Sequence, residues 1–514
     1  MREAQRKFYV TTPIYYPNRP PHIGSAYTTV MADVLARYYE SMGFDIFYLT
    51  GTDEHGMKLY KEAKTYNMSP KEFVDRIVPK FVEAWRALDI RYHRFIRTTE
   101  KQHEDVVKEI AMKIYEKGDI YKGIYKGLYC VECERYYTKK ELKNGNLCPI
   151  HLKPVEYLEM ECYFFRLSKY QDSLLRLYSE NSRFILPEER KNYIIKKINE
   201  EGLKDVSISR PKWYLPWGIE CPWDPDHVLY VWIDALLNYI SGVGYSENRE
   251  IFEKFWPPDV QLIGKDILWF HVVIWPALLM SLGLPLPRTI FAHGFLTVEG
   301  KKISKSLGTD IDPIDLVNKY GSDAVRYYLC RAIPFGEDGD FSEKELVTYY
   351  NNELVNEIGN LAFRVLSLAE RYFGGVVPEI KGHTEDESKV SREISEHVRK
   401  YHEFMRNLQI HHAVMEIILV AQSVNAYLNK TEPWKRWKEG DKERTAVIVR
   451  HALDWIYVIN ALIYPFMPSA ARRLAKQLGL NSIPKLANLR MWGNLRAGHK
   501  LGKREILFRK LERS

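Results

Sequence analysis

The stretch from residue 8 to residue 49 limits the possible folds more than any other part of the chain. Residues 8–16, Phe-Tyr-Val-Thr-Thr-Pro-Ile-Tyr-Tyr, form an apolar run rich in β-branched and aromatic side chains and read as one buried strand. Pro17-Asn18-Arg19-Pro20-Pro21 then make a turn. A helix is predicted to begin near Ser25, with Ala26, Val30, Val34 and Tyr38 at helical spacing, and to stop before Gly43. A second strand covers residues 46–49 and ends in the polar cluster Thr52-Asp53-Glu54-His55. Strand, turn, helix, strand is the unit of an α/β, Rossmann-like, doubly wound parallel sheet.

The 514 residues are long enough for three or four domains. The α/β texture occupies residues 1–120 and resumes at 225–295, with strands expected at 228–233 and 260–263 and an apolar helix from Ile267. Between them, residues 121–224 carry cysteines and Gly-punctuated runs and read as an inserted module. Residues 296–340 hold a lysine-rich loop, and 341–514 turn helical. There Ser342 with Glu345 suggests a capping box, and Val414, Ile417, Ala421, Val424 and Leu428 follow helical spacing, as expected of an all-α bundle. Apolar residues at 46% and charged residues at 28% are ordinary for a globular chain and exclude a disordered tail or fibrous repeat. Six cysteines are too few for a secreted disulfide framework. The N-terminus lacks an apolar signal core, and the apolar residues 272–286 are too short to span a bilayer. A cytoplasmic protein is expected. The formal charge of +8 permits a polyanionic partner without demanding one.

Two short motifs carry phosphate chemistry. His22-Ile23-Gly24-Ser25 falls between a strand and a helix start. A helix N-terminus offers unpaired N–H groups and partial positive charge, and glycine lets the backbone approach a ligand. By themselves, four such residues more often describe a helix cap beside a packed histidine. The second motif, Lys301-Lys302-Ile303-Ser304-Lys305-Ser306-Leu307, lies between Gly300 and Gly308. A Gly-bounded loop of this kind can close on a triphosphate and neutralise charge growing in a transition state, or remain a solvated basic loop.

Together, some 280 residues apart, the motifs resemble the signature pair of class I aminoacyl-tRNA synthetases. Within that class, residues 8–16, Leu49-Thr50-Gly51-Thr52-Asp53-Glu54-His55-Gly56, Tyr230-Val231-Trp232-Ile233-Asp234-Ala235 and Ile263-Gly264-Lys265-Asp266-Ile267 resemble the methionyl-tRNA synthetase family, from residue 8 to about residue 468. The resemblance implies ATP-dependent activation of L-methionine to methionyl-adenylate and its transfer to the 3′ end of tRNA(Met). It implies that Asp53 holds the α-ammonium with Arg210 as ionic partner. Pro13, Ile14, Tyr16, Trp232, Ala235, Tyr239, Ile267 and His271 would line the side-chain pocket, with Tyr16 and His271 as weak donors to the thioether. His22, Gly24, Ser25, Lys302, Ser304 and Lys305 would serve the phosphates of Mg2+-ATP, and Gly264, Lys265 and Asp266 the adenosine. His22, Lys302 and Lys305 are the expected catalytic residues. The family's first motif usually ends in a second histidine, and this chain has Ser25 there. Serine caps helices and donates a hydrogen bond but carries no imidazolium charge. Slower, more lysine-dependent adenylation is expected, with a Ser25→His change raising the rate.

In the insertion, Cys130-x2-Cys133 is followed after fourteen residues by Cys148-x2-His151. Paired ligand knuckles at this spacing point to one structural zinc, closed by four N/S ligands; the family resemblance agrees. Cys162, Cys221 and Cys330 lack partner spacing.

In the bundle, Pro433-Trp434-Lys435-Arg436-Trp437 interleaves aromatics with cations, as recognition of unpaired bases requires. By resemblance Trp434 would stack on an anticodon base while Asn360 and Arg364 read base edges; Trp437 is expected to pack internally. Accessory tRNA-binding proteins are a further partner class. The chain's length suggests a monomer.

Three rivals remain open on the residues alone. A leucine, isoleucine or valine enzyme would need a large editing domain, and the insertion of about a hundred residues is partly knuckle. A cysteine enzyme would be expected to place a thiol-selecting metal in the pocket, and the pocket residues include no cysteine. A non-catalytic tRNA-binding relative draws its support from Ser25 alone.

Overall fold

The computed structural model describes residues 6–130, 135–150, 152–303 and 309–512. Among these, six parallel strands form the central sheet: β1 (Lys7–Thr11), β2 (Asp45–Thr52), β3 (Arg94–Arg97), β7 (Ile185–Leu186), β9 (Val260–Gly264) and β10 (Ile290–His293). Their order is β3-β2-β1-β9-β10-β7. Along β1 the side chains alternate between two faces. Phe8 and Val10 join the core that holds helix α1 (Ile23–Ser41), while Tyr9 joins the core on the opposite face. Helices α2 (Lys101–Glu116) and α3 (Val231–Ser241) pack into that second core. Burial on both faces is why the strands read as continuous apolar runs.

The chain runs outward from β1 to β2 and, on the other side, from β9 to β10. The topological switch point therefore lies between β1 and β9, paired at Val10↔Val260 and Thr11↔Gln261.

Three boundaries differ from the sequence expectation. The first strand ends at Thr11, because Pro13 cannot donate to a ladder; the chain re-pairs only at Tyr15, bridged to Thr52. Residues 228–233 are not one strand. Asp224–Leu229 belongs to a separate small antiparallel sheet, and Tyr230 caps α3. The stretch 121–224 supplies a four-stranded antiparallel sheet, in the order β5-β4-β6-β8, from β4 (Ile120–Cys130), β5 (Arg135–Tyr137), β6 (Glu156–Phe165) and β8 (Val206–Ser207). The same stretch also returns β7 to the edge of the central sheet. Two residues are too short to announce a strand in a sequence.

The C-terminal part is helical: α4 (Asn360–Phe373), α5 (Glu385–Arg406), α6 (Ile410–Thr431), α7 (Pro433–Lys438), α8 (Lys442–Ile463) and α9 (Pro468–Gln477). Ser342 caps its helix, but its own N–H donates to the Tyr328 hydroxyl, which takes the place of a return bond from Glu345. Helix α8 is long and apolar enough to cross a membrane, yet 89% of its apolar window is buried inside the bundle. The basic tail is packed, not loose. Leu501 N–H donates to Gly375 C=O (2.8 Å), and Leu507 and Phe508 are buried.

Candidate active site at the switch point

Helix α1 starts two residues earlier than expected. His22, not Ser25, is its N-cap: Nδ1 of His22 accepts from Gly24 N–H at 3.1 Å. Ser25 sits at the third helical position. Its hydroxyl accepts from His22 N–H (3.1 Å) and donates to His22 C=O (2.8 Å). Burial, reinforced by Arg19, lowers the His22 pKa to about 4 against the pull of Asp310. The ring is neutral at pH 7, and since Nδ1 accepts, its proton resides on Nε2. His22 is thus a neutral donor at a helix N-terminus.

The distant lysine motif reaches this place. Ile23 N–H donates to Ile311 C=O at 3.1 Å. A Cβ added to Gly24 would lie 2.9 Å from the His22 ring and 3.3 Å from Ile303 Cδ1, so a side chain there would push on the His22 ring. Lys302 pairs with Thr297 in a short hairpin. Ser304 and Lys305 lie outside the described residues.

At the end of β9, Gly264 leads into a 3-10 turn holding Lys265, Asp266 and Ile267. Lys265 Nζ is bonded to both carboxylate oxygens of Asp338 (2.6 and 2.7 Å) and lies over the Phe295 ring. Two of its three N–H donors are thus spent on that carboxylate.

The candidate amino-acid pocket lies on the other side of β1. Tyr15 N–H donates to Gly51 C=O and Asp53 N–H to Tyr15 C=O, both at 2.9 Å. This ladder sets the segment carrying Pro13, Ile14 and Tyr16 beside Asp53. Ile14, Trp232 and Ile267 pack against the core that contains Tyr239. Ala235 follows Trp232 by one turn of α3 and is buried. Trp232 stacks on Phe270 with centroids 3.8 Å apart. Tyr16 accepts at its hydroxyl from Leu59 N–H (3.4 Å). Arg210 donates to Ser207 Oγ (2.9 Å) and Ser209 C=O (2.6 Å), its guanidinium over the Tyr230 ring.

His271 differs from expectation. Burial lowers its pKa to about 4. Nδ1 lies 3.0 Å from Ile267 C=O and must donate, so Nε2 accepts from the Tyr239 hydroxyl at 2.8 Å. Both nitrogens are committed, and His271 has no N–H to offer a thioether.

Two polar networks escaped the sequence reading. Glu54 accepts from Arg97 Nε and Nη2 (2.7 and 2.8 Å) and from Thr52 and Thr99. Asp234 accepts from two histidines, His55 Nδ1 (2.7 Å) and His103 Nε2 (2.6 Å). Asp234 lies inside a quoted motif, but the partner of a buried carboxylate is set by packing, not by spacing.

In the inserted module, Cys130 at the end of β4 and Cys148 are both buried in a small cluster with Tyr137 and Val155. Cys133 and His151 lie outside the described residues. Among the described residues no group of three His, Cys, Asp or Glu side chains could hold a metal. The two placed thiols share one buried cluster.

In the bundle, Asn360 and Arg364 lie one turn apart on α4, with Asn360 exposed. Arg364 donates to Asn429 Oδ1 (2.9 Å) and Asn425 Oδ1 (3.3 Å), and its guanidinium lies 5.6 Å from the Trp434 centroid. Trp437 stacks on Tyr372 and packs on Phe373, as expected.

A parallel-sheet switch point where a helix N-terminus meets a lysine loop from far along the chain is the arrangement of a class I aminoacyl-tRNA synthetase. A family profile described as "tRNA synthetases class I (M)" matches residues 8–154 and 141–366. A second, "Anticodon binding domain of methionyl tRNA ligase", matches 377–514 and so takes in the tail that the sequence resemblance left out. The chain is 46% identical over 509 residues to a methionine–tRNA ligase of Thermotoga maritima, covering 98% of this chain and 80% of that one. It is 43% identical over 532 residues to that of Streptomyces coelicolor, covering 99% and 98%. A solved structure of Mycobacterium tuberculosis methionyl-tRNA synthetase in complex with methionyl-adenylate superimposes with a TM-score of 0.93 at 38% identity, over 98% of this chain and 99% of that one. The chain belongs to the methionyl-tRNA synthetase family, the methionine–tRNA ligases.

Proposed function

We propose that this chain activates L-methionine with ATP in the crevice between β1 and β9 and charges tRNA(Met) with it. The methionine carboxylate oxygen attacks the α-phosphorus of Mg2+-ATP in line, and the bond to the pyrophosphate leaving group breaks. A ribose hydroxyl at the tRNA 3′ end then attacks the carbonyl carbon and AMP leaves; class membership implies the 2′-hydroxyl. Catalysis is positioning and charge stabilisation. The neutral His22 donates from Nε2, the first N–H groups of α1 face the phosphates, and Lys302 and Lys305 neutralise the charge that develops. Asp53 holds the α-ammonium, with Arg210 as its ionic partner. Ile14, Trp232, Tyr239 and Ile267 enclose the thioether in an apolar, polarizable wall, and His271 acts by fixing Tyr239. Gly264 and Asp266 lie toward the adenosine.

The observation that carries this reading is the Ile23–Ile311 backbone bond, with Ile303 Cδ1 3.3 Å from where a Cβ on Gly24 would stand. It supports a reading in which the two signature motifs serve one site. Trp434, Arg364 and Asn360 form an aromatic and polar cluster suited to unpaired anticodon bases. A zinc ion held by Cys130, Cys133, Cys148 and His151 would pin the inserted module as a structural crosslink. The protein works in the cytoplasm, alone or with an accessory tRNA-binding protein.

ATP–pyrophosphate exchange measured across the twenty amino acids tests the function. Exchange with methionine alone is expected. A signal with another amino acid, or none with any, overturns it.

A further inference from the structure

A buried ionic relay ties the proposed methionine pocket together from behind. Asp234 lies in the first turn of α3, between Trp232 and Ala235, and is 1% exposed. Its two oxygens accept from imidazoles on two other elements. His55, on the loop after β2, donates from Nδ1 (2.7 Å); His103, on α2, donates from Nε2 (2.6 Å). A carboxylate only accepts, so both facing nitrogens carry protons. The remaining nitrogen of His103 lies 2.7 Å from Ser241 Oγ at the other end of α3. The remaining nitrogen of His55 lies 3.8 Å from Glu104, and its ring packs on Trp217. Burial opposes a charge on His55, but Asp234, with help from Glu104 and Glu54, holds its pKa above the usual value; His55 and His103 in turn keep Asp234 ionised despite burial.

Two of these side chains sit next to residues of the proposed pocket. His55 lies two residues from Asp53, and Asp234 is flanked by Trp232 and Ala235. We propose that Asp234, acting through His55 and His103, is the positioning residue that sets the distance between the ammonium-binding Asp53 loop and the Trp232–Ala235 wall, and so sets the affinity for methionine. This rests on the pocket assignment made above. Breaking a buried, hydrogen-bonded charge cluster is expensive. The cost should fall on methionine, because the phosphate cradle lies across β1 and shares none of these bonds.

The test is exchange kinetics on the full-length chain, with methionine and ATP varied separately. Asp234→Asn should raise KM for methionine about tenfold or more, with KM for ATP within about twofold. His103→Ala and His55→Ala should do the same. His103→Gln and His55→Asn place an amide N–H where Nε2 and Nδ1 stood, and should recover most of the methionine affinity. Ser241→Ala, the mildest change, should raise KM for methionine a few-fold. Should Asp234→Asn fail to fold, the histidine pairs and Ser241→Ala decide. The proposal is overturned if the variants lose kcat and ATP affinity in step with methionine affinity, or if the amide variants are no better than alanine. A wild-type chain that does not activate methionine would instead overturn the function itself.

Discussion

The two ends of the crevice are built from different material. The phosphate end leans on backbone and a few cations: the first N–H groups of α1, a neutral His22 that spends one nitrogen on its own cap, and the lysines assigned to it above. The amino-acid end is mostly side chain: Asp53, a stacked Trp232, a Tyr239–His271 pair, and the Asp234 cluster behind them. A backbone site tolerates sequence change as long as the local conformation holds. A side-chain site has few substitutes, and its buried charges fail abruptly. The same single-residue change should therefore cost more at the second end than at the first.

The largest effect is expected at Asp53. Removing a carboxylate that pairs with a desolvated ammonium costs about 3–5 kcal/mol, which is on the order of a hundred- to several thousandfold in kcat/KM. Asp53→Ala should show that loss with methionine varied in the exchange assay. A loss below about tenfold would place the ammonium elsewhere and erase the contrast between the two ends.

At the phosphate end, His22→Ala should lower kcat on the order of a hundredfold, the usual cost of one preorganised donor. The loss belongs to a neutral donor, so it should be the same at pH 6 and pH 8; a loss confined to low pH would mean a charged imidazole. Acid should weaken both ends. His22 and His271, both held at about 4, resist protonation in the fold, while in the unfolded chain a histidine takes a proton near 6.5. Their contribution to stability is complete above pH 6.5 and is lost as the pH falls toward 4. Urea midpoints taken between pH 7 and pH 4.5 should fall, and should fall less in a His22→Ala chain.

Trp434 lies outside the crevice and calibrates both ends. Losing one base-stacking surface costs about 1–3 kcal/mol, so Trp434→Ala should reduce charging of tRNA about tenfold to a hundredfold. Single-turnover transfer with saturating tRNA should recover, since the defect is in binding. A defect that persists at saturation would tie Trp434 to packing instead.

The contrast between the ends also explains what the sequence could disclose. Local features were legible: the β1–α1–β2 unit, Trp437 in the bundle, and two motifs about 280 residues apart. These depend on near neighbours in the chain or on residue types with few uses. The misjudged features depend on distant packing. The start of α1 was misplaced because histidine is an unusual cap, and Ser25 looked like a better one. His271 reads as a donor because, although Ile267 C=O four residues back takes its Nδ1–H, the Tyr239 hydroxyl that occupies Nε2 comes from another helix. Strand β7 is two residues long and gains its meaning from β10. The Asp234 cluster joins residues 131 and 179 positions apart in the chain.

The smallest effect, and the sharpest test of a backbone-built phosphate end, is at Ser25. Its hydroxyl is turned back into the cap, bonded to both the N–H and the C=O of His22, so in this chain it holds the imidazole's backbone instead of facing the phosphates. Ser25→Ala should cost about 1 kcal/mol of stability, the worth of a capping bond, and lower the exchange rate a few-fold by loosening His22. Ser25→His should cost similar stability, since imidazole cannot make both bonds, yet raise the rate a few-fold by adding a donor at the third position of α1. The two variants match in stability and diverge in rate. Melting temperature and exchange rate measured on the same preparations decide the matter: if both variants slow the reaction equally, the hydroxyl's hold on His22 outweighs any donor placed there.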